Sequence, residues 1–485
     1  MQRSAKRISG VAGLAAAMMV AGCTVGPRYR APAPPTATAY TPQPPPAETA
    51  SSEGPTGSAQ HFNPTASIPS DWWTAFQSPE LNAMVAQALK NSPTLEEATA
   101  RLKQAQEEVI ARAGATKYPT VTGNASVTEE QLNLAAFGIP FPNPSPFTLL
   151  NGSVAVSYAL DVWGANRRTI EGLKAQRDYE AWQLEGARLM LAGNVVAAAI
   201  RQAQVREQIE ITERLLAVEQ KQLRIGEERE RAGGVSDFDV RGQRTLVAQT
   251  EAAIPPLELQ LDTINDQLAV LMGVSPAEAH VGGISLDALH LPEELPLTVP
   301  SELVRQRPDI RAAEALLHEA SANIGVATAN QFPQIVLTGS GGGSGTRFNS
   351  GGDVWNVGAA MAAPIFNGGA LQAEKRKAED AYDEAASAYR GTVLESFREV
   401  ADALYATERD AETLKARSAA AGEADGAYGI AAKRCHAGGI SEASLLDAER
   451  QQLQTALDRE NAAASRLTDS ATLFEALGGK AASSF

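Results

Sequence analysis

Gly233-Gly234-Val235-Ser236-Asp237-Phe238-Asp239-Val240 and Gly438-Gly439-Ile440-Ser441-Glu442-Ala443-Ser444-Leu445 open two stretches, residues 233–273 and 438–478, that run alongside each other at a constant offset of 205. Gly233/Gly438, Gly234/Gly439, Ser236/Ser441, Leu268/Leu473 and Gly273/Gly478 are identical pairs. The likeness extends upstream. Ser92-Pro93-Thr94-Leu95 answers Arg307-Pro308-Asp309-Ile310, Tyr118-Pro119 answers Phe332-Pro333, and Val162-Trp163-Gly164 answers Ile365-Phe366-Asn367. An internal repeat of this length fixes architecture before any single residue does. The chain is a tandem duplication, and each copy reads helix, strand, strand, very long helix, helix.

The helical periodicity is heptad. Val240, Val247, Ile254, Leu261 and Leu268 recur every seven residues, with Leu257, Ile264 and Leu271 between them. In the second copy Val393, Phe397, Val400, Leu404, Thr407, Ala411 and Leu414 step by four and three. Residues 165–232 and 368–437 contain no proline, and a helix of about 68 residues spans roughly 100 Å. Coiled-coil seams follow. Pro255 and Pro256 sit inside the first seam and predict a kink or local break there. Asn91-Ser92-Pro93 and Arg307-Pro308-Asp309 mark helix starts, with proline near the first turn.

Between the helices the period changes to two. Val154, Val156, Tyr158 and Leu160 alternate with Ser153, Ala155, Ser157 and Ala159, and Val357, Ala359, Met361, Ala363 and Ile365 share one face of a later strand. Each copy therefore supplies a hairpin of strands about ten residues long, the length that crosses an outer membrane when tilted. The hairpin tips differ: Leu132 to Phe147 is apolar and proline-rich, Gly341 to Gly352 is glycine and serine. Four strands cannot close a membrane barrel, so the chain is expected to oligomerise, with eight strands in a dimer or twelve in a trimer.

The N-terminus carries Arg3, Lys6 and Arg7, an apolar stretch from Ile8 to Val20, then Ala21-Gly22-Cys23. That is a signal peptide, too short for a spanning helix. Small residues directly before a cysteine resemble the bacterial lipobox, which makes Cys23 a lipid-modified N-terminus, with Thr24 in place of aspartate pointing to the outer membrane. Cys435 is the one other cysteine, so no intrachain disulfide remains once Cys23 is acylated. Residues 27–69 hold 11 of the 27 prolines and read as an extended tether with no core of its own. The formal charge of −15 argues against a nucleic-acid partner. His61, His280, His290, His318 and His436 lack metal-ligand spacing, and Gly341-Gly342-Gly343-Ser344-Gly345 lacks the Lys-Ser/Thr of a phosphate loop. An enzyme is not expected, nor a cofactor beyond the covalent lipid on Cys23.

The signal and lipobox, Asp71-Trp72-Trp73, Leu160-Asp161-Val162-Trp163-Gly164, Arg307-Pro308-Asp309-Ile310, Pro364-Ile365-Phe366 and Ala476-Leu477-Gly478-Gly479 together resemble the TolC-type outer-membrane efflux proteins. Within them the chain is similar to the NodT or OprM-like lipoprotein branch of tripartite efflux systems, over about residues 70 to 479. The resemblance implies a mixed α and β membrane protein, a homotrimeric α/β barrel. Four membrane strands per chain would form a shared 12-stranded barrel, continued by a coiled-coil helical tunnel through the periplasm. The implied partners are a periplasmic adaptor (membrane fusion) protein, an inner-membrane efflux pump and outer-membrane lipid. The implied parts are a signal peptide (1–22), a lipid-anchored tether (23–70), a first repeat (71–274, with hairpin 118–164 and helices 165–232 and 236–273), an equatorial segment (275–300), a second repeat (301–479, with hairpin 332–367 and helices 368–437 and 440–477) and a tail (480–485).

The resemblance also implies a periplasmic gate. The family's inward-facing aspartate falls on Asp447, whose partner in the first repeat is Gly242, and a hydrophobic gate residue of some relatives falls on Ala443. Glu442, Asp237 and Asp239 stand near the same turns. Three copies of Asp447 around a threefold axis would make an acidic constriction. The tips at Gly233, Gly234 and Val235 and at Gly438, Gly439 and Ile440 would dock the adaptor. The leading expectation is a passive exit duct. The alternatives are a duct for secreted polypeptides and a periplasmic coiled-coil adaptor or structural lipoprotein.

Overall fold

The structure is a computed structural model that describes residues 24–64, 66, 68–138, 140–279, 281–347 and 351–479. The signal peptide, Cys23, His280 and the tail lie outside the described residues. The chain divides into two compact units. The first takes in residues up to Pro32, Arg101–Glu180 and Ala312–Tyr389; the second takes in Ala33–Ala100, Ala181–Arg311 and Arg390 onward.

The first unit holds a four-stranded antiparallel sheet of β2 (Thr120–Glu130), β3 (Phe147–Leu160), β5 (Gln334–Gly345) and β6 (Gly351–Ala362), in the order β2-β3-β5-β6. Directly paired residues share a face, and the two sides differ in character over most of the sheet, with Val336 and Val354 as apolar residues on the polar side and Glu129 and Asp353 as acids on the apolar side. Val121, Val127, Val154, Val156, Tyr158, Leu337, Val357 and Met361 lie on one side. Thr120, Thr122, Asn124, Ser153, Ser157, Thr338, Ser340 and Asn356 lie on the other. There the Asn356 amide donates to Ser340 Oγ at 2.8 Å. The apolar side is bare: Val357 is 81% exposed and Val127 70%.

The strands enter their helices through glycines in left-handed backbone. Gly164 (φ +83°) precedes α3 (Ala165–Arg231), and Gly369 (φ +85°) precedes α7 (Ala370–His436). These two residues are 205 apart, the offset of the helical tips. They correct the expected equivalence of Val162-Trp163-Gly164 with Ile365-Phe366-Asn367, which is two residues out: three extra residues lie between the end of β6 and its helix, and the aromatic pairing misled. Asp161 caps α3, its carboxylate accepting from the Asn166 and Arg167 amides at 3.0 and 2.9 Å. Trp163 stacks on Phe332 at 4.6 Å and donates its indole N–H to the Pro333 carbonyl at 2.7 Å. The first described residues lie on this unit: the Val25 amide bonds the Trp163 carbonyl at 3.1 Å, and Arg168 donates to the Pro27 carbonyl at 2.6 Å. Tyr29 stacks on His318 at 4.2 Å.

The second unit contains α1 (Pro79–Asn91), α4 (Asp237–Leu271), α5 (Pro300–Gln306), α8 (Glu442–Ala476) and most of α3 and α7. A short parallel pair joins β1 (His61–Asn63) to β4 (Glu294–Pro296). The remaining helices, α2 (Pro93–Lys117) and α6 (Pro308–Ala329), fall largely in the first unit. The seams are buried in part. Val240 and Leu268 at the ends of the first seam are fully covered, as are Val400, Leu404, Thr407, Ala411 and Leu414 in the second. Of the kink or break expected at Pro255-Pro256, the break does not occur; α4 runs through both prolines. The carbonyls they leave unpaired belong to Glu251 and Ala252, which are exposed, so water replaces the lost bonds and the helix continues.

The proline-rich segment, expected to have no core of its own, is packed against α8. Thr41, Thr49, Thr56 and Gln60 are buried. The fully buried Arg466 of α8 donates to the carbonyls of Thr56, Ser58 and Ala50 at 3.0, 2.9 and 3.4 Å and to Thr49 Oγ1 at 2.9 Å. Gln60 reaches Ser470 Oγ at 3.0 Å and the Pro292 carbonyl at 2.9 Å. A segment with few apolar side chains is thus fixed through its backbone carbonyls, which a guanidinium fork suits. Trp72, 1% exposed, stacks on Phe474 at 5.7 Å and anchors the start of the first repeat.

Candidate functional site

The two helical turns of the second unit are built to one plan. Both α3 and α7 end in a glycine with positive φ, Gly233 at +73° and Gly438 at +74°. The Gly234 amide bonds the Arg229 carbonyl at 2.7 Å, and the Gly439 amide bonds the Arg434 carbonyl at 2.8 Å. Gly233 and Gly438 close the tighter inner bond, to Glu230 and Cys435, at 2.9 Å each. This is a double-bonded helix stop, in which glycine avoids the Cβ clash of left-handed backbone. Each following helix then starts on a serine whose hydroxyl accepts from an amide three residues on: Ser236 from Asp239, and Ser441 from Ser444, both at 3.2 Å. Val235 and Ile440 are half-buried within otherwise exposed tips.

The duplication diverges in what the turns carry. Asp239 completes a capping box, its carboxylate accepting from the Ser236 hydroxyl at 2.7 Å and amide at 3.3 Å. Those bonds hold its carboxyl below the usual carboxylate range. Ser444, its counterpart, has no such charge. Asp237 pairs with Arg241 one turn along, at 2.6 Å. Both first-repeat acids are therefore engaged in starting α4.

Asp447 and Glu442 face a different neighbour. Gln222 of α3 donates to Asp447 Oδ1 at 2.8 Å, and Lys221 of α3 pairs with Glu442 at 2.8 Å, a contact that pushes the lysine up from its ordinary value. Beneath these contacts Leu446 and Leu453 of α8 pack with Ile211, Leu215 and Val218 of α3. Burying such a side chain stabilises by about 1.5–3 kcal/mol, whereas an exposed ion pair adds at most ~1 kcal/mol. The apolar seam therefore holds α8 to α3, and the polar pair sets how Asp447 is presented. Asp447 is exposed; Ala443 is half-buried. The structure thus brings Asp447 and Glu442 together beside α3 and leaves Asp237 and Asp239 in the other turn.

Sequence reasoning did not single out Lys221, Gln222 or Phe238. Phe238 stands one repeat before Ala443 and is 83% exposed; the alignment of the two turns contained that signal. Lys221 and Gln222 carried none, since their partners lie more than 200 residues away. Among the described residues no group of three His, Cys, Asp or Glu side chains is placed to hold a metal ion. No helix of the described residues is long and apolar enough to cross a membrane.

Comparison with known proteins agrees with this architecture. A family model described as outer membrane efflux protein matches twice, over residues 84–274 and 299–479. The chain is 30% identical to the pyoverdine export outer membrane protein OpmQ of Pseudomonas putida over 421 residues, covering 84% of this chain and 87% of that one. It is 28% identical to the outer membrane protein OprJ of Pseudomonas aeruginosa over 485 residues, covering 97% and 95%. Among solved structures, the outer-membrane channel OprN superposes with a TM-score of 0.81 at 28% identity, covering 94% of this chain and 99% of that one. The open-state outer membrane channel MtrE of Neisseria gonorrhoeae gives 0.77 at 26%, covering 94% and 98%. With both halves of the duplication matched by the family model, the chain belongs to the outer membrane efflux protein family.

Proposed function

We propose that the protein is the outer-membrane channel of a tripartite efflux system. It is a passive duct that receives cargo from an inner-membrane pump through a periplasmic adaptor. In this proposal three copies pool their sheets into one 12-stranded barrel, Cys23 carries the lipid, the tips around Gly233 and Gly438 receive the adaptor, and Asp447 lines the periplasmic constriction.

The observation that carries it is the four-stranded sheet with one predominantly apolar face, one face rich in hydroxyls and amides, and two unpaired edges. In water each exposed valine or methionine forgoes roughly 1.5–3 kcal/mol of burial, and open edges invite aggregation. In a bilayer the same apolar face is solvated by lipid, and closure satisfies the edges. The serines, threonines and asparagines then line water. Efflux is favoured over the other ducts by the family, and over a soluble adaptor by the sheet.

Cargo is left unassigned. Relatives of similar identity carry names for pyoverdine export, solvent efflux and antibiotic efflux, so the shared residues do not choose it. The test is reconstitution of the purified protein in a planar bilayer, with its mass measured in detergent. Discrete conductance steps from a trimer are expected. A monomer without conductance would reject the proposal.

A further inference from the structure

A cavity of about 380 Å³ opens in the second unit, walled by Trp72 and Trp73 from the turn before α1, Leu89 near the end of α1, Leu189 of α3 and Pro308 at the start of α6. Gly478 and Gly479, in left-handed backbone at φ +88° and +54°, complete the wall without adding side chains to it. Stretches far apart in the sequence thus meet around one space. Its size and its aromatic and aliphatic wall are those of a small-molecule site.

One residue of the wall has a chemistry that the fold leaves unused. Trp72 is 1% exposed, yet its indole N–H has no acceptor among the described residues. The ring is held by stacking on Phe474 at 5.7 Å and by edge contacts with Trp73 and Phe76 at 6.0 and 6.4 Å, and a phenylalanine would make contacts of the same kind. A buried donor without an acceptor lowers stability, and a buried tryptophan ordinarily finds a partner. Trp163 shows the ordinary arrangement, with its indole N–H on the Pro333 carbonyl at 2.7 Å. The donor of Trp72 is accounted for if its acceptor arrives with a guest.

The charges decide what kind of guest. Glu185 holds the Arg188 guanidinium at 2.8 Å, so that pair is balanced, and Asp71 adds an exposed carboxylate to the same lining. The surplus negative charge disfavours an anion, and an indole N–H, which only donates, gives an ammonium group nothing to bond. We propose that the cavity binds an uncharged, ring-bearing molecule whose carbonyl oxygen accepts from Trp72 and whose ring lies against Trp73, Leu89 and Leu189. All of these residues belong to one chain, so the site stands apart from how copies assemble.

The test uses the purified full chain in lipid nanodiscs and three probes of similar size: coumarin, a neutral lactone; naphthalene, which has no acceptor; and 1-naphthoate, an anion. Equilibrium dialysis measures each against the unsubstituted protein and Trp72→Phe. Coumarin is expected to saturate at one per chain and to bind at least about fivefold more tightly than naphthalene, a preference that Trp72→Phe erases while naphthalene binding persists. Leu189→Trp, which fills the cavity and leaves Trp72 in place, should abolish saturable uptake of both neutral probes. Tighter binding of 1-naphthoate than of coumarin, no saturable coumarin uptake, or saturable uptake undiminished in Leu189→Trp would overturn the proposal. Parallel weakening of coumarin and naphthalene in Trp72→Phe would do the same, because it would assign Trp72 to packing alone.

Discussion

The Arg466 guanidinium lies 2.9 Å from Thr49 Oγ1, although 417 residues separate them, and it collects three backbone carbonyls of the same N-terminal segment. Hydrogen bonds to a charged donor contribute about 1.5–3 kcal/mol each when the alternative is an unpaired buried group. Arg466→Met should therefore lower stability by about 3 kcal/mol. Proteinase K should cut between residues 41 and 60 long before the helices. Equal protection of that segment in the variant would dismiss the clamp.

Beside Arg466, Asp410 faces the Asp469 carboxyl. Burial, with the adjacent acid adding to it, raises the Asp410 carboxyl to about 7, while burial lowers Arg466 to about 10. The folded state thus holds a proton that the unfolded chain, with a carboxyl near 4, releases earlier. The associated stability is fully present below about pH 4 and is lost as pH rises through about 7. A higher thermal midpoint at pH 5.5 than at pH 8 is expected, with Asp410→Asn flattening the difference and gaining most at pH 8. A difference unchanged by that substitution would assign the effect to other groups.

Asp447 is held by Gln222 and leaves one carboxylate oxygen free for cations. Asp447→Ala should enlarge the resting pore and weaken divalent-cation block roughly tenfold, equivalent to about 1.4 kcal/mol. Gln222→Ala retains the charge, so block should persist. Single-channel recording in a lipid bilayer decides; identical conductance and block in Asp447→Ala would exclude it from the constriction.

At the tips, Gly233→Ala and Gly438→Ala meet open space, so their cost is the left-handed backbone alone, about 1–2 kcal/mol each. Ser236→Ala should cost about 1 kcal/mol and more than Ser441→Ala, because it alone dismantles a capping box. Hydrogen exchange of the amides at residues 237–240 and 442–445 reads this out. Equal acceleration in the two serine variants would contradict the asymmetry.

The helices and strands were legible because seams such as Val400 to Leu414 and alternations such as Ser153 to Leu160 repeat over many residues, and a long local period survives any tertiary context. What was misread depends on contacts or solvent. At Pro255-Pro256 the helix continues without a break, because Glu251 and Ala252, whose carbonyls lose their partners, are exposed to water. The tether acquires its order from Arg466, an arginine in a helical stretch of alanines whose purpose only its distant acceptors reveal. The strand-end alignment slipped by two because aromatic resemblance between Trp163 and Phe366 outweighed the glycine that starts each long helix. Gln222 and Asp447 belong to different repeats, and no local pattern couples them.

The hairpin tips, residues 131–146 and 346–350, differ threefold in length, yet they close hairpins of one register. Closing the longer loop costs only about 1 kcal/mol more. Register is decided in the strands, so tip length is a nearly neutral character. A lineage can rewrite this surface through insertion and deletion, and a foreign epitope can be carried there, while the wall beneath stays unaltered.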